Sequence, residues 1–179
     1  IDHSTTTEEA ASHSGGLYGM GGDFLYRWGN PQNYDRGNNA NHLLADQHSV
    51  NWIPEGYPGE GNLILFNNFY PNNSNSSVCE IITPLNGDGT YMIEEHQPFG
   101  PDDYTWMYSG GFVSQAQGGA FRLANGNTLI TEATDSYIFE VTPSGETVWD
   151  YDYPSSMALI ARAERYTYDQ FDNGPEGND

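Results

Sequence analysis

Carboxylates dominate the side chains that could do chemistry in this chain. Its 179 residues carry 25 Asp and Glu against 5 basic residues and 5 His, a formal net charge of −20 at pH 7. Glycoside hydrolysis uses one carboxyl as acid and another as base or nucleophile. Glu132 or Asp135 with Glu55 would supply the residue types, although no spacing singles out a pair. Asp102 and Asp103 read as solvated charge, while Asp150 and Asp152 fall on one face of a strand, open to a cation. Asn86-Gly87-Asp88-Gly89 and Asp172-Asn173-Gly174 offer hard oxygen ligands resembling half of a calcium loop, without its closing Glu. Structural calcium is therefore an open expectation, and no set of metal ligands is assigned. Cys79 stands alone, which excludes an internal disulfide. Its setting, Val78-Cys79-Glu80-Ile81, reads as a buried apolar position rather than a reactive thiol.

The charge balance excludes whole classes of partner. Nucleic acid and anionic lipid are held by clustered Lys and Arg, and here Arg27, Arg36, Arg122, Arg162 and Arg165 are scattered. No apolar run approaches the roughly 18 residues of a membrane span. Asn72-Asn73-Ser74 and Asn75-Ser76-Ser77 are short N-glycosylation acceptor motifs that point weakly to an extracellular address. Residues 169–179 form an acidic tail rich in Gly and Asn.

Aromatic residues make up 14% of the chain and Gly numbers 21, a composition for turn-rich β structure. Short helical turns are expected only around 7–12 and 41–46. The remainder repeats one unit: an apolar strand, a turn with Asn and Gly, a second apolar strand, a third strand, and an aromatic strand containing Trp. The first copy runs through 49–54, 63–66, 77–83 and 104–108, and the second through 119–123, 128–131, 136–142 and 146–151. Trp106 and Trp149 stand 43 residues apart, within the roughly 40 to 45 of a four-stranded propeller blade. Residues 23–28 are expected to form the aromatic strand of a preceding unit, and 159–168 the opening strand of a following one. The expected fold is one all-β, propeller-type segment over 1–179, about three blades of material out of the roughly 4 to 8 that close a ring. The chain is then expected to start and end inside blades, as a fragment, a processed product or one part of a ring completed by another chain. A β-sandwich is the alternative architecture.

Several stretches resemble the bacterial aryl-sulfate sulfotransferase family. They are Asp2 to Thr7, Gly22 to Pro31, Gln47-His48, Trp52 to Gly56, Gly61 to Asn68, Arg122 to Ile130 and Phe139 to Pro143. The most specific are Leu25 to Pro31 and Trp52 to Asn68. The resemblance implies a secreted or periplasmic β-propeller whose innermost strands line a central funnel. It also implies transfer of a sulfuryl group from a phenolic sulfate ester to a phenol, without a nucleotide donor, through a sulfated histidine. Neutral imidazole is a competent nucleophile, and fixed cationic donors stabilise charge on the group in transit.

On that reading His48, just before the first strand of a blade, is the leading pocket imidazole, with Gln47 and Ser49 able to fix its tautomer. His3, in the matched opening motif, is the second catalytic candidate. Arg162 and Arg122 are the candidates for holding sulfate oxygens, with Arg122 equally readable as a structural ion-pair partner. Aligning the blades strand for strand sets Gln117 at the place of His48. His13, His42 and His96 read as solvated loop residues. Family members often carry Asp and a second His near Gln47-His48, where this chain has Ser49 and Asn51. The rival reading is a non-catalytic extracellular propeller, a binding, matrix or filament-forming module that self-associates through open blade edges.

Overall fold

In the segments Leu63 to Asn67 and Thr128 to Glu132 every second side chain is apolar or small, and each run is preceded by a turn that reverses the chain. The second turn, Asn125-Gly126-Asn127, holds Gly126 at φ 89°, a left-handed conformation that glycine adopts without steric cost. The protein is described by a computed structural model covering residues 1–69, 75–154 and 159–166. The motif at Asn72, the loop at Asp172 and the tail 169–179 lie outside the described residues.

The chain is all-β, with two four-stranded antiparallel sheets and almost no helix. The first sheet comprises β1 (Gln47–Trp52), β2 (Leu63–Asn67), β3 (Ser77–Ile81) and β4 (Trp106–Tyr108), joined in sequential order. The second repeats it with β5 (Gly119–Arg122), β6 (Thr128–Glu132), β7 (Tyr137–Val141) and β8 (Thr147–Asp152). All eight strands expected from the two repeats are present, most within one to three residues of the expected bounds. Among the described residues helix is limited to α1 (Thr7–Ala10), closed at its start by a capping box between Thr6 and Glu9, and to two 3-10 turns at Pro31–Tyr34 and Asn39–Asn41.

The two sheets pack face to face. Ile53, Ile64, Phe66 and Val78 of the first meet Ala120, Ile130, Phe139 and Val141 of the second, all of them buried. Each such large side chain contributes on the order of 1.5–3 kcal/mol by leaving water. Phe112 wedges between Phe66 and Phe139, with ring centroids 5.7 and 5.5 Å away. Phe66 also lies directly against Gly118, whose φ of 119° and missing Cβ let the sheets approach at the start of β5.

A repeated polar clasp ties successive units. Glu80 on β3 accepts a hydrogen bond from Asn62 Nδ2 at 2.6 Å and pairs with Arg122, whose guanidinium lies 5.0 Å from the Trp106 ring centroid. One unit later, Glu140 on β7 accepts from Asn127 Nδ2 at 2.6 Å and pairs with Arg165 at 2.6 Å, and Arg165 lies 5.7 Å from the Trp149 ring. In both cases the Arg comes 16 residues after the Trp and belongs to the segment that follows the sheet it grips. Residues 159–166 thus sit on the second sheet as β5 sits on the first.

Two expected strands are not formed among the described residues. Residues 23–28 are not a strand: they lie over the outer face of the first sheet, tied by side chains rather than by a backbone ladder. Trp28 Nε1 donates to the Pro101 carbonyl at 2.7 Å, Tyr26 Oη donates to the Gly100 carbonyl at 2.8 Å, and Tyr26 stacks on Tyr91 at 4.8 Å. Trp28 and Tyr104 thereby close a second core around Leu44, Leu65 and Cys79. Residues 159–166 have no sheet partner among the described residues; besides the Arg165–Glu140 pair they are tethered by Gly118 N–H to the Ala161 carbonyl and Ala163 N–H to Thr131 Oγ1.

Candidate functional site

The strand starts on one side of the stacked sheets gather the best candidates. His48 on β1 pairs with Phe66, and Gly119 on β5 pairs with Thr131, the residue equivalent to Phe66. The 43-residue spacing that relates Arg122 to Arg165 relates Gly119 to Arg162. His48, Gly119 and Arg162 therefore occupy the same place in three successive units. The contacts agree with this order, since a Cβ built on Gly119 would fall 2.8 Å from Arg162 Cβ. This register corrects the placement of Gln117 opposite His48. Gln117 (φ 61°) matches Asp46 (φ 53°), just before the strand, and the bulge between His48 and Asn51, which inserts Ser49 at φ 53°, accounts for one residue of this two-residue correction.

Asn68 fixes the state of His48. This asparagine is fully buried, and its Nδ2 donates to the carbonyls of Ser114 at 2.8 Å and Gln117 at 2.7 Å. With both amide hydrogens committed, its Oδ1 must face His48 Nδ1, 2.8 Å away, and the Asp46 carbonyl lies 3.1 Å from the same nitrogen. Two acceptors at Nδ1 require the hydrogen there, so in the neutral ring the lone pair lies on Nε2. The imidazole is thus held as the tautomer that a nucleophile or general base at Nε2 needs.

Arg162 is 63% exposed and reaches Glu164 at 3.4 Å, a surface pair that leaves most of its donors available. Glu132 ends β6 on the same side and is buried, accepting from the Val113 N–H at 2.9 Å. Burial raises its pKa, with the Val113 hydrogen bond opposing. Arg122 is elsewhere: three residues farther along β5, buried against Glu80 and donating to the Gly126 carbonyl at 2.9 Å. It is a clasp between sheets, so the structure takes it away from His48. His3 is exposed, in the loop whose Asp2 carboxylate accepts from Ser4 and Tyr18. Glu55 follows the far end of β1, opposite the end where Glu132 lies, so these two carboxylates are not brought together.

Among the described residues no group of three or more His, Cys, Asp or Glu side chains is placed to hold a metal ion. The Asp88 carboxylate is instead engaged by the Thr90 N–H and hydroxyl at 3.0 and 2.6 Å. Cys79 is fully buried, its thiol pushed up to about 12 by burial. Asn75 is half-buried, and Ser76 of its motif is buried with its hydroxyl donating to the Asn68 carbonyl at 2.8 Å. No helix among the described residues is long and apolar enough to cross a membrane.

Sequence reasoning passed over Asn68, Ser114 and Gly119. The only available signal was Asn67-Asn68, two consecutive amides ending an apolar strand, where buried polar groups must find partners. Compared with known proteins, the chain matches no family model and no curated protein.

Proposed function

We propose that the chain is propeller-type material similar to aryl-sulfate sulfotransferases and that His48 transfers a sulfuryl group from an aryl sulfate to a phenol. The observation that carries this reading is the pinned tautomer of His48, whose neutral ring has its lone pair on Nε2, at the strand position where Arg162 holds the equivalent place two units on. In the first step Nε2 attacks sulfur, the N–S bond forms, and the S–O bond breaks to release a phenolate. Its charge is relieved by a proton from solvent. The hydrogen stays on Nδ1, donated to the Asn68 side-chain oxygen Oδ1, and the positive charge on the sulfated ring is stabilised by that amide dipole. In the second step the acceptor phenol gives its proton to solvent water as its oxygen bonds to sulfur, and the N–S electron pair returns to Nε2. Arg162 would bind the sulfate oxygens in transit.

The test is release of nitrophenol from 4-nitrophenyl sulfate with phenol as acceptor. Release that depends on phenol and disappears in His48→Ala, with acid-labile sulfate trapped on the parent protein, supports ping-pong transfer. A folded chain that releases nothing ends the enzymatic reading.

A second reading, a non-catalytic module that builds larger β assemblies, has its own observation. The outer face of the second sheet carries Leu129, Ile138, Glu140, Trp149 and Tyr151. These are the counterparts of Ile64, Val78, Glu80, Trp106 and Tyr108, which bind the second sheet to the first. Leu129 and Glu140 are buried, with Arg165 of the 159–166 segment on Glu140, while Trp149 and Tyr151 remain 43% and 44% exposed, the part of the face suited to further stacking.

A further inference from the structure

The long connection from β3 to β4 carries an aromatic cavity that shares no residue with the strand starts around His48. A turn at 86–90 holds its base: the Asn86 N–H donates to the Thr90 carbonyl at 2.7 Å, and Leu85 bridges to Tyr91. Tyr18 stands against that turn, since a Cβ built on Gly89, at φ 84°, would fall 2.5 Å from the Tyr18 hydroxyl oxygen. Between the turn and the 18–25 stretch lies a space of about 100 Å³, walled by Tyr18, Tyr91 and Phe99 and by Met20, Leu25 and Ile93. Tyr26 does not line it but fixes two of its walls, stacking on Tyr91 at 4.8 Å and meeting Phe99 edge-on at 5.4 Å.

Such a space admits one compact group, whereas whole drug-sized ligands take roughly 300 Å³ or more. Its surroundings favour a positive one. No Lys, Arg or His lines the cavity. Arg27 lies instead 5.2 Å from the Phe24 ring centroid and 5.0 Å from that of Tyr34. Carboxylates are bonded to two of the lining residues: Asp88 accepts from the Thr90 N–H at 3.0 Å and its hydroxyl at 2.6 Å, and Asp2 accepts from the Tyr18 N–H at 3.0 Å. Hydrogen bonds from Thr90 to Asp88, and from Ser4 and Tyr18 to Asp2, hold both carboxyls below the usual carboxylate range. The net charge of −20 adds to the same field. A metal ion or a primary ammonium needs several oxygen acceptors, which apolar and ring walls do not supply. A cation whose charge is spread over methyl groups needs only ring surface.

We infer that this cavity binds the methylated head group of a quaternary ammonium ligand of the choline class, one that is positively charged overall. The rings of Tyr18, Tyr91 and Phe99 meet the methyl groups, and Asp2 and Asp88 supply the attracting charge. The rest of the ligand stays in solvent. The site acts independently of the His48 chemistry.

Choline is titrated into the full chain by calorimetry beside three relatives. 3,3-Dimethylbutan-1-ol has its shape without the charge, ethanolamine has the charge without the methyl groups, and phosphocholine adds an anionic group. Saturable binding is expected for choline, with each relative at least several-fold weaker. Tyr91→Ala weakens choline about fivefold or more, the scale of a desolvated cation–π contact. Tyr91→Phe, which keeps the ring, stays within about twofold of the parent, and His48→Ala binds as the parent does. Absence of saturable choline binding, or equal binding of dimethylbutanol or ethanolamine by the unaltered chain, overturns the inference whether or not Tyr91→Ala folds. Phosphocholine binding as tightly as choline overturns the requirement for net positive charge. Unchanged affinity in a folded Tyr91→Ala, or loss of binding in His48→Ala, overturns the placement.

Discussion

At the scale of single residues, the chain buries charge in two different ways. Arg122 and Glu80 compensate each other, whereas Glu132 is a buried carboxylate with a backbone N–H and no cation among the described residues. Burial raises the Glu132 pKa above its unfolded value. The folded state therefore favours its protonated form. Its contribution to stability is full below the unfolded pKa and is lost as pH rises through the folded pKa. Gln at this position keeps an acceptor for Val113 and carries no charge. Glu132→Gln is expected to be at least as stable as the parent at pH 7, with the difference shrinking toward pH 4, in urea titrations at both values. A variant less stable at pH 7 by more than about 1 kcal/mol would show that the charge of Glu132 is compensated in the fold.

Between elements, the repeated clasp explains how two open sheets hold a fixed stacking. Each sheet offers Asn, Glu and Trp, and the next segment brings the Arg. The first clasp is buried on both sides, while the Arg165 side chain is 47% exposed. Removing one member of a buried pair strands the other charge, so Arg122→Met is expected to destabilise the chain by about 3–5 kcal/mol. The exposed equivalent, Arg165→Met, is expected to cost about 1 kcal/mol or less. Adding Glu80→Leu to Arg122→Met should recover much of the first loss, because no charge is then buried alone. Chemical denaturation of the four proteins measures all three values. Equal effects of the two single arginine substitutions would refute the distinction.

At the scale of the whole molecule, the stacking is head to tail: the face of the second sheet that points away from the first repeats the pattern of the first sheet's docking face. Such heterologous contacts extend unless a ring closes. The charge of −20 opposes contact between copies, and salt screens that repulsion. Sedimentation is expected to show association that rises with protein concentration and is greater at high than at low salt. Trp149→Glu, which places charge on the open face, should abolish it. A monomer at every salt and concentration would remove the open face as an association surface.

The sequence by itself determined the strands, their order and their grouping. Alternating apolar residues, turn glycines and two tryptophans 43 residues apart are local signals, and a β ladder between sequential strands needs little else. It also marked Cys79 as buried, because strand alternation assigns a side to every residue. It misread residues 23–28, since aromatic residues suit both a strand and a packed loop, and only the presence of a ladder partner separates the two. Register was likewise beyond local reading: His48 falls at the place of Gly119 and Arg162, two residues from Gln117, and the bulge at Ser49 accounts for one of the two. The tautomer of His48 depends on Asn68, twenty positions away, and on carbonyls of Ser114 and Gln117 still more distant. Likewise Arg27 and Arg122, the same residue type, become an open cation between rings and a buried clasp. Those outcomes were decided by the tertiary structure, because the groups that set hydrogen bonding and desolvation come from distant parts of the chain and meet only when the sheets stack.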